Sequence, residues 1–160
     1  MTTPKKTFSY FLLFVFIISS DIATKIWALK NLISQNITVC PYLNFGLSIN
    51  RGVSWSFFSS QSNLKFYLLT LLIITIISIF IIHTYKEYKN QKNIFFEILI
   101  ISGAISNIID RFLYSGVIDF IDFHINTWHW PTFNIADISI VIGIIGVLGR
   151  YIYHDKFRKN

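Results

Sequence analysis

The sequence has one cysteine and few charged residues, and both scarcities narrow the class of protein. Cys40 is the single cysteine among 160 residues, so the chain can form no intrachain disulfide and has no cysteine spacing typical of a metal site. Charged residues make up 14% of the chain, whereas apolar residues make up 53% and aromatic residues 18%. An ordinary soluble domain of this length is less apolar. The composition therefore predicts a single integral membrane domain over residues 1–160.

A basic, aromatic-interleaved patch of the kind that binds nucleic acid is also missing, although the formal net charge is +6. The basic residues instead stand in short groups beside apolar segments, where they would meet anionic lipid head groups. Internal repeats and low-complexity linkers are missing as well. The charge pattern predicts membrane lipid as a partner and no nucleic acid. We also expect a monomer, although no pattern in the sequence determines the oligomeric state.

Four apolar segments approach the roughly 20 residues that a helix needs to cross a bilayer. They cover about 8–28, 66–83, 94–113 and 135–153. The first has the charged start of a signal peptide, but Asp21 interrupts it and no small-x-small cleavage site follows, so a retained anchor is predicted. Basic residues are concentrated on one side of this arrangement. This asymmetry predicts cytoplasmic termini and outer loops at about 29–65 and 114–134.

The first outer loop contains a pattern with a period of two. In Leu43–Asn50, apolar and polar residues alternate, which predicts a short, half-buried strand. Asn50 and Gly52 then indicate a turn, and turn formation alone is one interpretation of Asn50. Residues 53–58 are amphiphilic enough to lie in the membrane interface, where Trp55 would be well placed.

Acidic residues lie where a membrane protein should avoid them. The predicted orientation collects Asp21, Asp110, Asp119 and Asp137 at the outer face, and ionisable groups at that depth are a functional-site hypothesis. Asp119 and Asp137 belong to the segment 116–137, between the last two apolar segments. Two carboxylates held close together can share one proton, which suits a general acid and a general base acting on one water. That is the chemistry of an aspartic protease.

Several of these polar residues also have purely structural interpretations. Asp21 and Lys25 are spaced i, i+4 and can pair at the end of a helix. Asn107, Asp110 and Arg111 occupy roughly one face of the third segment and can form a structural polar cluster.

The last polar residues near the fourth segment have two interpretations each. Asn134 can hold a carboxylate or carbonyl beside Asp137, or it can cap the fourth helix, and both can be true. His124 and His129 lie near acidic residues, but their spacing falls in an aromatic loop with no clear third ligand. No metal and no cofactor are predicted.

Four short motifs occur in one order along most of the chain. They are Asn-x-Gly (Asn50, Gly52), Gly-Ala-x-x-Asn-x-x-Asp-Arg (Gly103, Ala104, Asn107, Asp110, Arg111), Val-x-Asp-Phe (Val117, Asp119, Phe120) and Phe-Asn-x-Ala-Asp (Phe133, Asn134, Ala136, Asp137). Together with four spans, they resemble the bacterial lipoprotein signal peptidase family, also called signal peptidase II.

The resemblance implies a fold, an activity and a location. The fold is mainly α, with four transmembrane helices, a small extracytoplasmic β-sheet and an interfacial helix in the first outer loop. The activity is that of an aspartic endopeptidase in the bacterial inner membrane, which removes the signal peptide from prolipoproteins just before a diacylglyceryl-modified cysteine near the extracytoplasmic face. Asp119 and Asp137 would be the catalytic pair. Residues that shape or line the site would be Asp21, Asn50, Gly52, Gly103, Asn107, Asp110, Arg111, Asn134 and Ala136.

The chain departs from the family pattern at a few positions. Ser102 and Ser106 stand where the family usually has glycine, and Ser54, Trp55 and Ser56 replace its usual Ala-Phe-Gly. The serines are small enough to preserve close helix packing. None of these changes falls on the predicted catalytic pair.

Two other classes of function compete with the peptidase. The acids could form the relay of a small transporter coupled to protons or cations, but a relay should place acids at several depths, and only Glu97 lies toward the inner side. A non-catalytic assembly factor would use the acids only to pair with Lys25 and Arg111.

Overall fold

The computed structural model describes residues 4–52 and 62–158. Within these ranges the chain is mainly helical with a small antiparallel sheet, as predicted. The elements are α1 (Pro4–Asn31), β1 (Ile37–Cys40), β2 (Leu43–Asn50), α2 (Asn63–Lys89), α3 (Phe95–Tyr114), β3 (Val117–Ile125), β4 (Trp128–His129) and α4 (Ile135–Arg158). The predicted interfacial segment, with Ser54, Trp55 and Ser56, lies outside the described residues.

Three of these helices are long and apolar enough to cross a membrane: Pro4–Asn31, Asn63–Lys89 and Ile135–Tyr153. The remaining helix, α3, has 20 residues but carries Glu97, Asp110 and Arg111. These three side chains are each 5% exposed or less, and α3 packs against the other three helices. Charged residues within a helical membrane protein are expected to face the interior of the bundle. α3 is therefore the central helix of the bundle.

Close contact between α3 and α4 depends on small residues. A Cβ atom on Gly103 would lie 2.4 Å from the backbone carbonyl oxygen of Ala136, and one on Gly143 would lie 2.7 Å from that of Phe96. The buried Ser139 hydroxyl donates to the carbonyl oxygen of Leu99 at 2.8 Å. Small residues of this kind let helix backbones approach closely in membranes. These contacts hold the first half of α4 against the first half of α3.

An ion pair joins α3 and α4 at the opposite end of the bundle. Glu97, which is 1% exposed, pairs with Arg150, and Arg150 also donates to the carbonyl oxygen of Asn93. Tyr10 of α1 donates to the side chain of Asn93 at 3.3 Å. A buried carboxylate requires such a partner. This end of the bundle is therefore held by polar contacts that lie far from the aspartate-rich end.

The four strands form one sheet in the order β1-β2-β3-β4, and all pairs are antiparallel. The predicted strand at Leu43–Asn50 is confirmed as β2. Its even alternation is not maintained, because the register with β3 shifts between Phe45 and Ser48, after which Ser48 opposes Asp119. A bulge of this kind changes which residues share a face. Ser48 and Asn50 consequently lie on the face of Asp119, while Ile49 is 52% exposed.

No strand is predicted from the sequence in the second outer loop, but the structure contains two there. Residues Val117–Ile125 form the longest strand of the sheet, and Trp128–His129 pairs with its end. The strand is rich in β-branched and aromatic residues, which favour sheet structure. Phe120 packs with Ala28 of α1 and with Leu32, which follows that helix, in a small apolar core. This packing brings Asp119 to the ends of the helices.

Candidate active site

Asn134 connects the two aspartates that the sequence nominates as a pair. Asp119 lies on β3 and is 2% exposed, whereas Asp137 lies in the first turn of α4. The side-chain amide of Asn134 donates to Asp119 Oδ1 at 2.8 Å, and its backbone N–H donates to Asp137 Oδ2 at 3.2 Å. One residue thus holds a strand carboxylate and a helix carboxylate in a common site.

The same residue begins α4. Asn134 Oδ1 accepts a hydrogen bond from the backbone N–H of Asp137 at 2.9 Å, which reciprocates the bond from the Asn134 N–H to Asp137. This is the geometry of a capping box, with Asn and Asp in the two roles. Both interpretations of Asn134 are therefore correct, because it is a helix cap and a carboxylate partner at once. The start of α4 and the position of Asp137 are set by the same two bonds.

Two further asparagines donate hydrogen bonds to the two carboxylates. Asn50 Nδ2 donates to Asp119 Oδ2 at 3.2 Å, and its Oδ1 accepts from the Gly52 N–H at 2.9 Å. Asn107 Nδ2 donates to Asp137 Oδ1 at 2.8 Å. Each carboxylate therefore accepts two N–H hydrogen bonds, one on each oxygen. Hydrogen bonds of this kind stabilise the ionised form of a carboxylate.

Asp119 nevertheless has a pKa far above its ordinary range. Burial raises the pKa of Asp119 to about 7, and the nearby charge of Asp137 adds to the rise. The hydrogen bonds from Asn50 and Asn134 oppose it. A group with this pKa can hold or release a proton near neutral pH, as a general acid or base requires. The pair can therefore carry one proton and one negative charge together.

Behind the pair lies a buried charged cluster centred on Lys25, which is 2% exposed. Its Nζ lies 2.6 Å from Asp21 Oδ2 and 2.7 Å from Asp110 Oδ2. It also donates to Asn107 Oδ1 at 2.8 Å. The predicted pair of Asp21 and Lys25 is confirmed, but sequence spacing did not predict the other two partners. Full burial of a lysine is tolerated because its charge is paired.

The two acids of this cluster also accept hydrogen bonds from two backbone N–H groups and one serine hydroxyl around the site. Asp21 Oδ1 accepts from the Ala136 N–H at 2.8 Å, and Asp21 Oδ2 accepts from the Ser106 hydroxyl at 2.7 Å. Asp110 Oδ2 accepts from the Ile118 N–H at 3.1 Å. These bonds connect α1 and α3 to the start of α4 and to β3. Asp21 and Asp110 thus position the backbone on either side of the pair.

Arg111 closes another side of the site. Its guanidinium donates to the carbonyl oxygen of Gly52 and lies 5.5 Å from the ring centroid of Phe66. Arg51 lies 5.1 Å from the same centroid and donates to Asn63 Oδ1 at 2.7 Å. Cations over an aromatic face are held by the ring quadrupole. The turn after β2 is thereby connected to α3 and to the start of α2.

The structure brings together all the residues that the sequence nominated for the site. These are Asp21, Asn50, Gly52, Gly103, Asn107, Asp110, Arg111, Asp119, Asn134, Ala136 and Asp137. Lys25 and Ser106 were not nominated. A lysine four residues from an acid inside an apolar segment was the signal that could have identified Lys25.

Across residues 4–52 and 62–158, no three His, Cys, Asp or Glu side chains form a group that could hold a metal ion. His124 and His129 stack with ring centroids 4.9 Å apart. Nδ1 of His129 lies 2.8 Å from Asp122 Oδ1. These side chains occupy the β3–β4 hairpin, away from the pair.

Apolar helices thus surround a buried and a half-buried carboxylate that amides hold together, an arrangement suited to a hydrolase within the membrane. Residues 13–153 match the family described as signal peptidase (SPase) II. The chain therefore belongs to the signal peptidase II family, and membership makes it a protease of the membrane.

Relatives of the chain agree over nearly its full length. It is 38% identical to the lipoprotein signal peptidase of Blochmanniella pennsylvanica, with 97% of this chain and 94% of the relative covered. It is 34% identical to that of Francisella tularensis subsp. novicida, with 98% and 99% covered. A solved bacterial membrane enzyme, determined by the in meso method, superposes with a TM-score of 0.75 at 29% identity, covering 95% of this chain and 92% of that one.

Proposed function

We propose that the protein is an aspartic endopeptidase that removes the signal peptide from diacylglyceryl-modified prolipoproteins, on the N-terminal side of the lipidated cysteine. The substrate class comes from relatives that are named lipoprotein signal peptidases. The observation that carries the proposed chemistry is that Asn134 holds both Asp119 and Asp137. In residues 4–52 and 62–158, no other pair of acids accepts hydrogen bonds from one asparagine that also caps a helix.

The reaction uses the two carboxyl groups in opposite protonation states. The ionised carboxylate takes a proton from a water molecule, whose oxygen attacks the scissile carbonyl carbon. The protonated carboxyl donates its proton to the carbonyl oxygen, so the tetrahedral intermediate forms without a covalent bond to the enzyme. A proton then passes to the leaving amine as the C–N bond breaks. The raised pKa of Asp119 supports this division of roles, because one carboxyl can stay protonated near neutral pH.

In the proposed membrane arrangement all four helices cross the bacterial inner membrane, both termini are cytoplasmic, and the pair lies near the extracytoplasmic face. The charged residues of the site meet at one end of the bundle, and this supports a single active face. They are Asp21 and Lys25 in the C-terminal half of α1, Asp110 near the end of α3 and Asp137 at the start of α4. Basic residues toward the other end support its cytoplasmic location. They are Lys5, Lys6, Lys86, Lys89, Lys92 and Arg150.

A cleavage assay with purified protein in lipid tests this function. The substrates are a diacylglyceryl-modified prolipoprotein and the same protein without the lipid. We expect cleavage of the modified form alone, at the bond before the lipidated cysteine. Cleavage of both forms at equal rates would contradict the proposed substrate class. A correctly inserted protein that cleaves neither form would contradict the proposed peptidase reaction itself.

The pH dependence of the reaction follows from Asp119. Because its pKa is raised to about 7, the protonated form that the mechanism needs is lost as the pH rises through neutrality. We expect kcat to fall about tenfold per pH unit on the alkaline side. Initial rates at saturating substrate, measured from about pH 5 to about pH 9, check this. A folded protein whose kcat stays constant up to about pH 9 would exclude Asp119 as the acid.

A further inference from the structure

A chain of hydrogen bonds leads from Lys25 to the catalytic pair through Asn107. Lys25 Nζ donates to Asn107 Oδ1 at 2.8 Å, and Asn107 Nδ2 donates to Asp137 Oδ1 at 2.8 Å. The lysine is 2% exposed, so its ammonium group contacts protein groups rather than solvent. The amide of Asn107 is thus the single residue between a buried cation and a catalytic carboxylate.

The direction of that amide is fixed by its neighbours. A side-chain amide has one acceptor end and one donor end. The acceptor end of Asn107 receives hydrogen bonds from Lys25 and, at 3.2 Å, from Asn134 Nδ2. Turning the amide over would place its NH2 group against an ammonium and another amide NH2, and its oxygen against the carboxylate of Asp137. Lys25 therefore selects the orientation in which Asn107 donates to Asp137.

The two carboxylates are not equivalent in this environment. Each accepts two N–H hydrogen bonds, so the number of donors does not distinguish them. Asp137, however, lies in the first turn of α4, where the helix N-terminus favours negative charge. Asp119 lies on a strand, is 2% exposed, and gains no such contribution. Burial without a helix terminus favours the neutral form at Asp119.

The charged groups around this part of the site come from three elements. Lys25 and Asp21 lie on α1, Asp110 lies on α3 and contacts Lys25, and Asp119 lies on β3. Arg111 on α3 is a further charged group, and its guanidinium interacts electrostatically with Asp119. Lys25 is the cation that contacts Asn107, so removing its charge leaves Asp21 and Asp110 unbalanced beside Asp137.

We propose that Lys25 is a positioning residue that, by fixing the amide of Asn107, holds the negative charge on Asp137 and leaves the shared proton on Asp119. This inference rests on the proposed function. It makes Asp137 the base that takes the proton of the attacking water, and Asp119 the acid that protonates the carbonyl oxygen of the substrate.

The kinetic test uses Lys25→Met, which keeps side-chain length but removes charge and donor, with Asn107→Ala and the double variant. We expect each single variant to lower kcat about 100-fold with little change in KM, and to move the acid-side midpoint of kcat to higher pH by about one pH unit. The double variant should lose little more than either single variant, because both interrupt one line of contacts. Lys25→Arg should restore most of the pH profile.

The matched control is Ser139→Ala. It removes one buried hydrogen bond between α4 and α3, which the Ser139 hydroxyl donates to the Leu99 carbonyl oxygen at 2.8 Å. It should lower Tm without moving the midpoint. If Lys25→Met and Asn107→Ala lower Tm but keep the wild-type midpoint, or if their effects on kcat simply add, Lys25 has only a structural role and the inference is wrong. Should Lys25→Met not fold, Asn107→Ala still tests the contact through which Lys25 would act: a midpoint that stays at the wild-type pH overturns the inference, and a shift to higher pH supports it.

A second measurement locates the proton without any turnover. Infrared difference spectra of the folded protein near pH 6 should show a protonated carboxyl band that disappears in Asp119→Asn and persists in Asp137→Asn. The reverse pattern would overturn the assignment. Because this result does not depend on substrate, it separates a wrong proton location from a wrong peptidase reaction, which the cleavage assay reports.

Discussion

Replacement of Asp119 or Asp137 by Asn is expected to abolish cleavage, lowering kcat by at least about 1,000-fold with little change in KM. An amide keeps the shape of the carboxyl group but can neither take a proton from water nor supply one to the carbonyl oxygen. The double variant should be no slower than either single variant, because the two groups act on the same water. The measurement is single-turnover cleavage of the diacylglyceryl-modified substrate.

The folding of these variants is checked by the pH dependence of Tm. Because the folded-state pKa of Asp119 is raised to about 7 from 3.8, the folded protein binds more protons than the unfolded chain between these values. The contribution of Asp119 to the free energy of unfolding is therefore complete below pH 3.8 and is lost as the pH rises through about 7. Asp119→Asn should flatten this decline.

The kinetic result decides the catalytic roles. A folded Asp119→Asn or Asp137→Asn variant that retains a tenth or more of wild-type kcat would contradict the assigned roles.

Gly103→Ala is expected to have the second largest effect, although Gly103 does not contact either carboxylate. The added Cβ would lie 2.4 Å from the Ala136 carbonyl oxygen and 2.9 Å from Ile140. Contact with a backbone atom cannot be relieved by rotating a side chain, so the first turn of α4 must move away from α3. We expect a loss of stability of about 1–3 kcal/mol and a loss of kcat of about 100-fold, because displaced catalytic groups lose their orientation.

Gly149→Ala provides the matched control for this substitution. Gly149 is also a helical glycine, on α4, but nothing lies within 4 Å of a Cβ added there. Alanine should leave kcat unchanged and raise the free energy of unfolding slightly, by up to ~1 kcal/mol, since it is the better helix former. Thermal unfolding and kcat of both variants are measured in the same lipid. Equal behaviour of the two variants would show that α3 and α4 do not depend on close approach at Gly103.

The sequence predicted the parts of this protein that depend on local patterns. Long apolar segments have the length of a membrane helix, and all four predicted segments lie within the observed helices or begin a residue before them. The alternation of Leu43–Asn50 predicted β2 for the same local reason. The acids at the segment ends were identified because ionisable groups are rare in apolar surroundings.

Other features depend on contacts between distant parts of the chain, and the sequence alone did not predict them. The bulge that brings Asn50 to Asp119 is a matter of register between β2 and β3. The second and third partners of Lys25 come from α3, more than 80 positions away. A hydrophobic period of two or 3.6 residues contains no information about contacts between distant parts of the chain. The missed strand β3 was a different case, because its β-branched residues gave a local signal.

The capping box at Asn134 and Asp137 has a consequence for how the protein is made. The proposed active groups come from α1, β2, α3, β3 and α4, and two of the bonds that hold Asp137 are the ones that begin the last of these elements. During synthesis, every earlier segment reaches the membrane before that helix starts. On the proposed function, the nascent chain therefore lacks a complete catalytic pair until its final helix has formed.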